Sequence, residues 1–128
     1  MKSLVAEDDV TSRMILRRFL SQYGECDVAA DGREAVLAFK DAQQKRRRYD
    51  LICVDLGMPV MDGQQALREI NRLDAAGGLR TTKIIVTTAQ TDMESITNAL
   101  LGRCHAYLMK PIDTGKLRSE LVELGLIQ

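Results

Sequence analysis

The sequence contains no tryptophan, two prolines, one histidine and three cysteines, and no apolar run in it approaches the roughly 20 residues that cross a bilayer. Each scarcity excludes something. Two prolines and 45% apolar residues in 128 make the composition of one packed globule rather than of a disordered or proline-rich segment. Cys26, Cys53 and Cys104 are an odd number without CxxC or metal-ligand spacing, which argues against a disulfide framework. With no signal-peptide layout ahead of the strand pattern at Ser3, the expected compartment is reduced and cytoplasmic. Eighteen basic residues balance eighteen acidic ones, so there is no basic footprint, and neither a nucleic-acid nor a membrane partner is expected. His105 is read as a partly exposed strand residue and, like the cysteines, receives no role.

What is present is a regular alternation. Short apolar runs SLVA (3–6), CDVA (26–29), LICVD (51–55), KIIVTT (83–88) and HAYLM (105–109) read as five strands. Between them, Met14, Leu16, Phe19 and Leu20 repeat at helical spacing. Ala35, Val36 and Phe39 do so after Asp31, which with Glu34 three residues on forms a variant capping box. Ala66, Leu67, Ile70 and Leu73 mark a third helix, Met93, Ile96 and Leu100 a fourth, and Leu117, Leu121 and Leu124 a fifth. KRRRYD (45–50) reads as a solvated helix end and AAGGLR (75–80) as a loose loop. With no repeat or linker, residues 1–128 are expected to form a single α/β domain: a doubly wound, five-stranded parallel sheet of (βα)5 type.

In such a sheet, ligands gather at the carboxyl ends of the strands. Glu7, Asp8 and Asp9 follow the first strand, Asp55 ends the third, Thr87 and Thr88 end the fourth, and Lys110 follows the fifth. Clustered carboxylates cannot all ionise cheaply, so a cation must enter, and an oxygen-only donor set without His or Cys suits Mg²⁺. Glu7, Asp8 and Asp55 supply three negative charges against three positive from Mg²⁺ and Lys110. Esterifying Asp55 would place about −1.5 to −2 of phosphoryl charge between the metal and the ammonium. This is the layout of a phosphoryl acceptor with Asp55 as nucleophile. Each residue taken alone has a blander reading as a cap, a β-branched filler or a turn, and their convergence is what carries the argument.

DLGMPVMDG (55–63) resembles the D-x-x-M-P-x-M-D-G motif of the receiver domains of two-component response regulators, and AEDDVTSR (6–13) resembles their acidic loop. The resemblance runs over essentially the whole chain and implies a flavodoxin-like sheet of strand order 2-1-3-4-5. Registered on Arg13, it makes Glu7 and Asp8 the acidic pair, Asp8 the direct metal ligand with Glu7 acting through water, and Asp9 a helix cap; Asp8 with Asp9 is the neighbouring registration. It also implies a metal-binding carbonyl at Gly57, Thr88 as the switch hydroxyl, Ala89 as the small residue of the phosphoryl pocket, and Tyr107 as the aromatic switch. Lys110 becomes the family's lysine, with a Lys110–Pro111 bond that is commonly cis. Arg103 stands where the family usually has glycine, with Gly102 one place early, and Gln90 is placed to orient a water.

The activity so implied is that of a phosphoacceptor switch rather than an enzyme. A sensor histidine kinase or phosphotransfer protein donates to Asp55, and a downstream protein reads the surface from about Met93 to Leu124. Two other classes fit less well. A Mg²⁺-dependent phosphatase of the haloacid dehalogenase type wants a second Asp two residues after the nucleophile, where Gly57 stands. A flavodoxin-like electron carrier finds an acidic first loop and no tryptophan. A free-standing regulator is the preferred context, the alternative being a receiver cut from a longer protein.

Overall fold

Leu51 to Asp55 is buried at every position, as expected of a central strand covered on both faces. In the computed structural model, which describes residues 1–58, 61, 63–77, 82–89 and 104–128, this segment is strand β3. Around it lie β1 (Ser3–Ala6), β2 (Cys26–Ala29), β4 (Lys83–Thr88) and β5 (Ala106–Met109), all parallel and in the order β2-β1-β3-β4-β5. The helices of the described residues are α1 (Val10–Leu20), α2 (Gly32–Gln44), α3 (Gly63–Gly77) and a C-terminal helix (Thr114–Glu123). The fourth predicted helix at Met93, Ile96 and Leu100, together with Gln90, Gly102 and Arg103, lies outside the described residues.

Period-2 alternation divides the core in two. Leu4, Ala6, Ile52, Val54, Ile84 and Val86 pack under α2 and α3 through Phe39, Leu67 and Ile70. Val5, Leu51, Cys53, Ile85 and Leu108 pack on the other face against Leu16 and Leu20 of α1 and Leu117 and Leu121 of the C-terminal helix. Each fully buried aliphatic contributes about 1.5–3 kcal/mol. Carried one step past the core, the same alternation puts Asp55 and its register partner Thr87 on the α1 side, in the parity of Cys53 and Ile85. The strand order reverses between β1 and β3, and the crevice beyond their ends is where Glu7 and Asp55 stand.

The helix starts obey the expected chemistry. Asp31 accepts the Glu34 amide at 2.8 Å, and Glu34 returns a bond to the Ala30 amide at 2.9 Å. The basic run after α2 is a helix end: Lys45 is its C-cap, Arg46 takes a positive φ of 56°, and the Arg47 amide closes onto the Ala42 carbonyl. Three expectations need correction. Met14 is 55% exposed rather than inward, because the buried stripe of α1 runs through Ser12, Leu16 and Leu20. Ala75 to Gly77 continue α3 instead of forming a loop, the helix end being satisfied by Gln43 on the Leu73 carbonyl and Arg48 on the Gly77 carbonyl. His105 precedes β5, with its ring Nδ1 accepting the Ile84 amide at 3.0 Å in place of a backbone carbonyl.

Two glycines fix the segment that follows β3. A Cβ on Gly63 would stand 2.2 Å from the Asp55 carbonyl oxygen and 2.4 Å from Leu56 Cα, and one on Gly32 would stand 2.1 Å from the Met61 carbonyl oxygen. Backbone thus meets backbone on both sides of the segment, which no side chain permits. At Gly57 an added Cβ meets only Asp55 Oδ1 at 3.7 Å, an ordinary contact. Gly63→Ala should therefore cost at least about 2 kcal/mol in urea unfolding, and Gly57→Ala less than about 1 kcal/mol. Equal stability of the two variants would contradict the close approach at Gly63.

Candidate functional site

The site forms where three strand ends meet. Glu7 leaves β1 fully buried, held by its own loop: its Oε1 accepts the Asp9 amide at 3.2 Å, and the Arg13 guanidinium donates to the Glu7 carbonyl at 3.1 Å. Asp9 turns away to cap α1, taking the Ser12 amide at 3.2 Å and the Ser12 hydroxyl at 2.6 Å. Of the acidic run, this leaves Glu7 and Asp8 facing Asp55, and one oxygen from each of the three lies within 4.8 Å of the others. Asp8 is exposed and the other two are buried.

Lys110 arrives from the end of β5. Its amide donates to the Thr88 carbonyl at 2.8 Å, the bond to Pro111 is cis, and Nζ lies 2.6 Å from Glu7 Oε1 and 3.1 Å from Asp55 Oδ2. The other Asp55 oxygen, Oδ1, accepts the Gly57 amide at 3.0 Å. Thr87, legible in the sequence only as one of the two threonines that end the fourth strand, donates its hydroxyl to Glu7 Oε2 at 3.2 Å and so joins the site. The signal was available: Thr87 shares Asp55's parity in the sheet, whereas Thr88 is one residue beyond it. Thr88 is buried at the end of β4, opposite Met109. Ala89 follows it exposed, and Tyr107 on β5 is 39% exposed.

Burial and neighbouring charge set the protonation states. Burial raises the Glu7 carboxyl to about 7, with Lys110 opposing and Asp55 adding to the rise. Burial also pushes Asp55 up, but the Gly57 amide, the hydrogen bond with Glu7 and the Lys110 ammonium outweigh it and hold Asp55 below the usual carboxylate range. Asp8 is raised by partial burial and by Asp55. Desolvation works against the Lys110 ammonium, yet Glu7 and Asp55 more than compensate and raise it. The cluster thus holds more negative charge than one lysine balances.

The donor set fits a hard divalent cation. Its three converging groups are carboxylate oxygens, and the nearby Cys53 thiol is pushed far up by burial, so no thiolate competes.

Comparison with known proteins agrees with the geometry. The family model of the response regulator receiver domain matches residues 4–122. The chain belongs to that family. This receiver is 35% identical over 126 residues to the sensory/regulatory protein RpfC of Xanthomonas campestris, covering 98% of this chain and 17% of RpfC. It is 32% identical to the osmosensing histidine protein kinase SLN1 of Saccharomyces cerevisiae, covering 96% of this chain and 10% of that kinase. It therefore spans less than a fifth of these two relatives. Among solved structures it resembles the chemotaxis protein CheY4 of Vibrio cholerae (TM-score 0.78, 28% identity, 95% and 96% of the two chains). It likewise resembles the receiver domain of the sensor histidine kinase PA1611 of Pseudomonas aeruginosa (TM-score 0.75, 32% identity, 97% of each chain), solved with magnesium coordinated in its active-site cleft. The receiver family is one of signalling switches whose members bind Mg²⁺ at an acidic pocket, and among the described residues of this chain Glu7, Asp8 and Asp55 form an acidic cluster.

The raised Glu7 carboxyl has a thermodynamic consequence. From 4.5, its unperturbed value, to about 7, the folded chain binds more protons at Glu7 than the unfolded chain does. Stability of the metal-free protein therefore falls as pH rises through that window. Glu7→Gln should gain on the wild type between about pH 5 and 8 in EDTA, by on the order of 1–3 kcal/mol. A wild-type-to-variant difference in Tm that stays constant with pH would contradict the buried, proton-holding Glu7.

Proposed function

We propose that this receiver is the phosphoacceptor of a two-component relay, with Asp55 taking a phosphoryl group from a phosphohistidine of a sensor kinase or phosphotransfer protein. The observation that carries the reading is the Lys110 ammonium shared between Asp55 and Glu7, opposite a backbone amide on the other Asp55 oxygen. An Asp55 oxygen attacks phosphorus and the O–P bond forms as the P–N bond breaks. The electron pair of that bond returns to the imidazole nitrogen, and the ring leaves neutral because its other nitrogen carries a proton. Asp55 is ready as a nucleophile because its surroundings keep it ionised. Lys110 neutralises the phosphoryl charge as it arrives, already oriented by its two carboxylate partners. Glu7, Asp8, Asp55 and the Gly57 carbonyl would hold Mg²⁺, which when bound would shield the phosphoryl oxygens further.

The product is a state, not a released compound. Esterification removes the Asp55 carboxylate charge and adds about −1.5 to −2 as phosphoryl. Thr88 then turns to the new oxygens over the small Ala89, and Tyr107, outward in this structure, packs inward. A downstream protein reads the change from the stretch about Met93 to Leu124, of which residues 104–124 are described.

The donor meets the adjoining α1 flank. Val10 and Met14, 57% and 55% exposed, sit one helical turn apart on α1 immediately after the acidic loop. Beside them a groove of about 470 Å³ runs between α1 and Thr114. These side chains give a phosphodonor helix an apolar foothold at the mouth of the site. RpfC and SLN1, named as a sensory/regulatory protein and a histidine protein kinase, support a phosphohistidine source. The relay operates in the cytoplasm, where the three cysteines stay reduced.

Acetyl phosphate with Mg²⁺ should give a hydroxylamine-labile acyl phosphate on the wild type and none on Asp55→Asn. Lys110→Ala should label at least about a hundredfold more slowly. Equal labelling of wild type and Asp55→Asn would remove Asp55 as the acceptor.

A further inference from the structure

Thr87 is fully buried, yet its position does not require a hydroxyl. Two residues earlier on the same face, Ile85 packs with Val5 and Cys53, so an aliphatic side chain suits this side of β4. What distinguishes position 87 is Glu7. Of the two Glu7 oxygens, Oε1 is taken by Lys110 at 2.6 Å and by the Asp9 amide at 3.2 Å. Oε2 has the Thr87 hydroxyl at 3.2 Å, and the carboxyl also shares a hydrogen bond with Asp55, with which it would hold the metal in common. Glutamate carries one more rotatable bond than aspartate, and a carboxylate held at one oxygen alone still turns about its last torsion. Held at both oxygens, from its own loop, from β4 and from the end of β5, it does not.

We infer that Thr87 is a positioning residue. Its hydroxyl locks the Glu7 carboxylate in one orientation and thereby makes the acidic pocket selective for a small octahedral cation over a larger one. The inference rests on the divalent-cation reading of the site. Mg²⁺ demands near-ideal geometry, whereas Ca²⁺ accepts variable ligand angles and numbers. An orienting hydroxyl behind a ligand therefore matters for the first ion and little for the second, and loss of such an outer partner commonly costs 10–100-fold in metal affinity. Valine keeps the branched shape of threonine and lacks only the hydroxyl, so the Thr87→Val effect reports on the oxygen rather than on packing.

The test is calorimetric titration of the unphosphorylated protein with MgCl₂ and with CaCl₂, for wild type, Thr87→Val and Thr87→Ser. Thr87→Val should weaken Mg²⁺ binding about tenfold and Ca²⁺ binding less than about threefold. Thr87→Ser, which keeps the hydroxyl, should stay within about twofold of wild type for both ions. In a Glu7→Ala background, Thr87→Val should change nothing further, because the group it orients is gone. Unchanged Mg²⁺ affinity in Thr87→Val, equal loss for both ions, or an undiminished effect without Glu7 would each overturn the inference. Failure of the wild type itself to bind Mg²⁺ would instead overturn the metal reading on which it stands.

Discussion

One ammonium group between two buried carboxylates organises this molecule. Glu7 follows the first strand, Asp55 ends the third and Lys110 follows the fifth, and Lys110 reaches both acids at hydrogen-bond distance. Its side chain is 15% exposed, while those of Glu7 and Asp55 are 0% and 6%. Removing the lysine from such a buried set typically costs about 3–5 kcal/mol, because the two acids are left without their counter-charge. The set is also incomplete: Asp8 adds a third acid that the lysine does not balance. The fold spends stability to keep a surplus of negative charge in one crevice. That surplus is what suits the crevice to a hard cation, and the proposed phosphoryl transfer would act on the same balance of charge.

The sheet is what makes the convergence possible. The strand order places β1 and β3 side by side, so acids 48 positions apart in the sequence become neighbours. Register does the rest. Asp55 pairs with Thr87, and alternation sends both side chains to the face where α1 and the C-terminal helix pack. A one-residue slip of β4 would exchange Thr87 for Thr88 beside Glu7. The same two-sided burial that makes these strands easy to recognise also makes their register rigid.

Most of this was legible in the residues. The runs 3–6, 26–29, 51–55 and 83–88 become strands with the same bounds, and the apolar spacings of α2 and α3 are their buried faces. The cap at Asp31 is where side-chain chemistry put it, and that at Asp9 is where the family resemblance put it. Legibility failed where a local feature was decided by something distant. Met14 fits the helical period but lies just off the buried stripe. The end of α3 is held by Gln43 and Arg48 from elsewhere in the chain, which no local reading of AAGG discloses. His105 substitutes a ring nitrogen for a backbone acceptor. Thr87 reads as β-branched filler until the partner strand gives its hydroxyl a recipient.

The glycine contacts around the segment after β3 carry a consequence for how this scaffold can diversify. Gly32 meets the Met61 backbone and Gly63 meets that of Asp55 and Leu56, so at both places backbone stands against backbone. A side chain at Gly63 would press on the strand end that carries Asp55 and shift its carboxylate relative to Lys110. Diversity in this scaffold is therefore closed at these two glycines and has to be written at other positions.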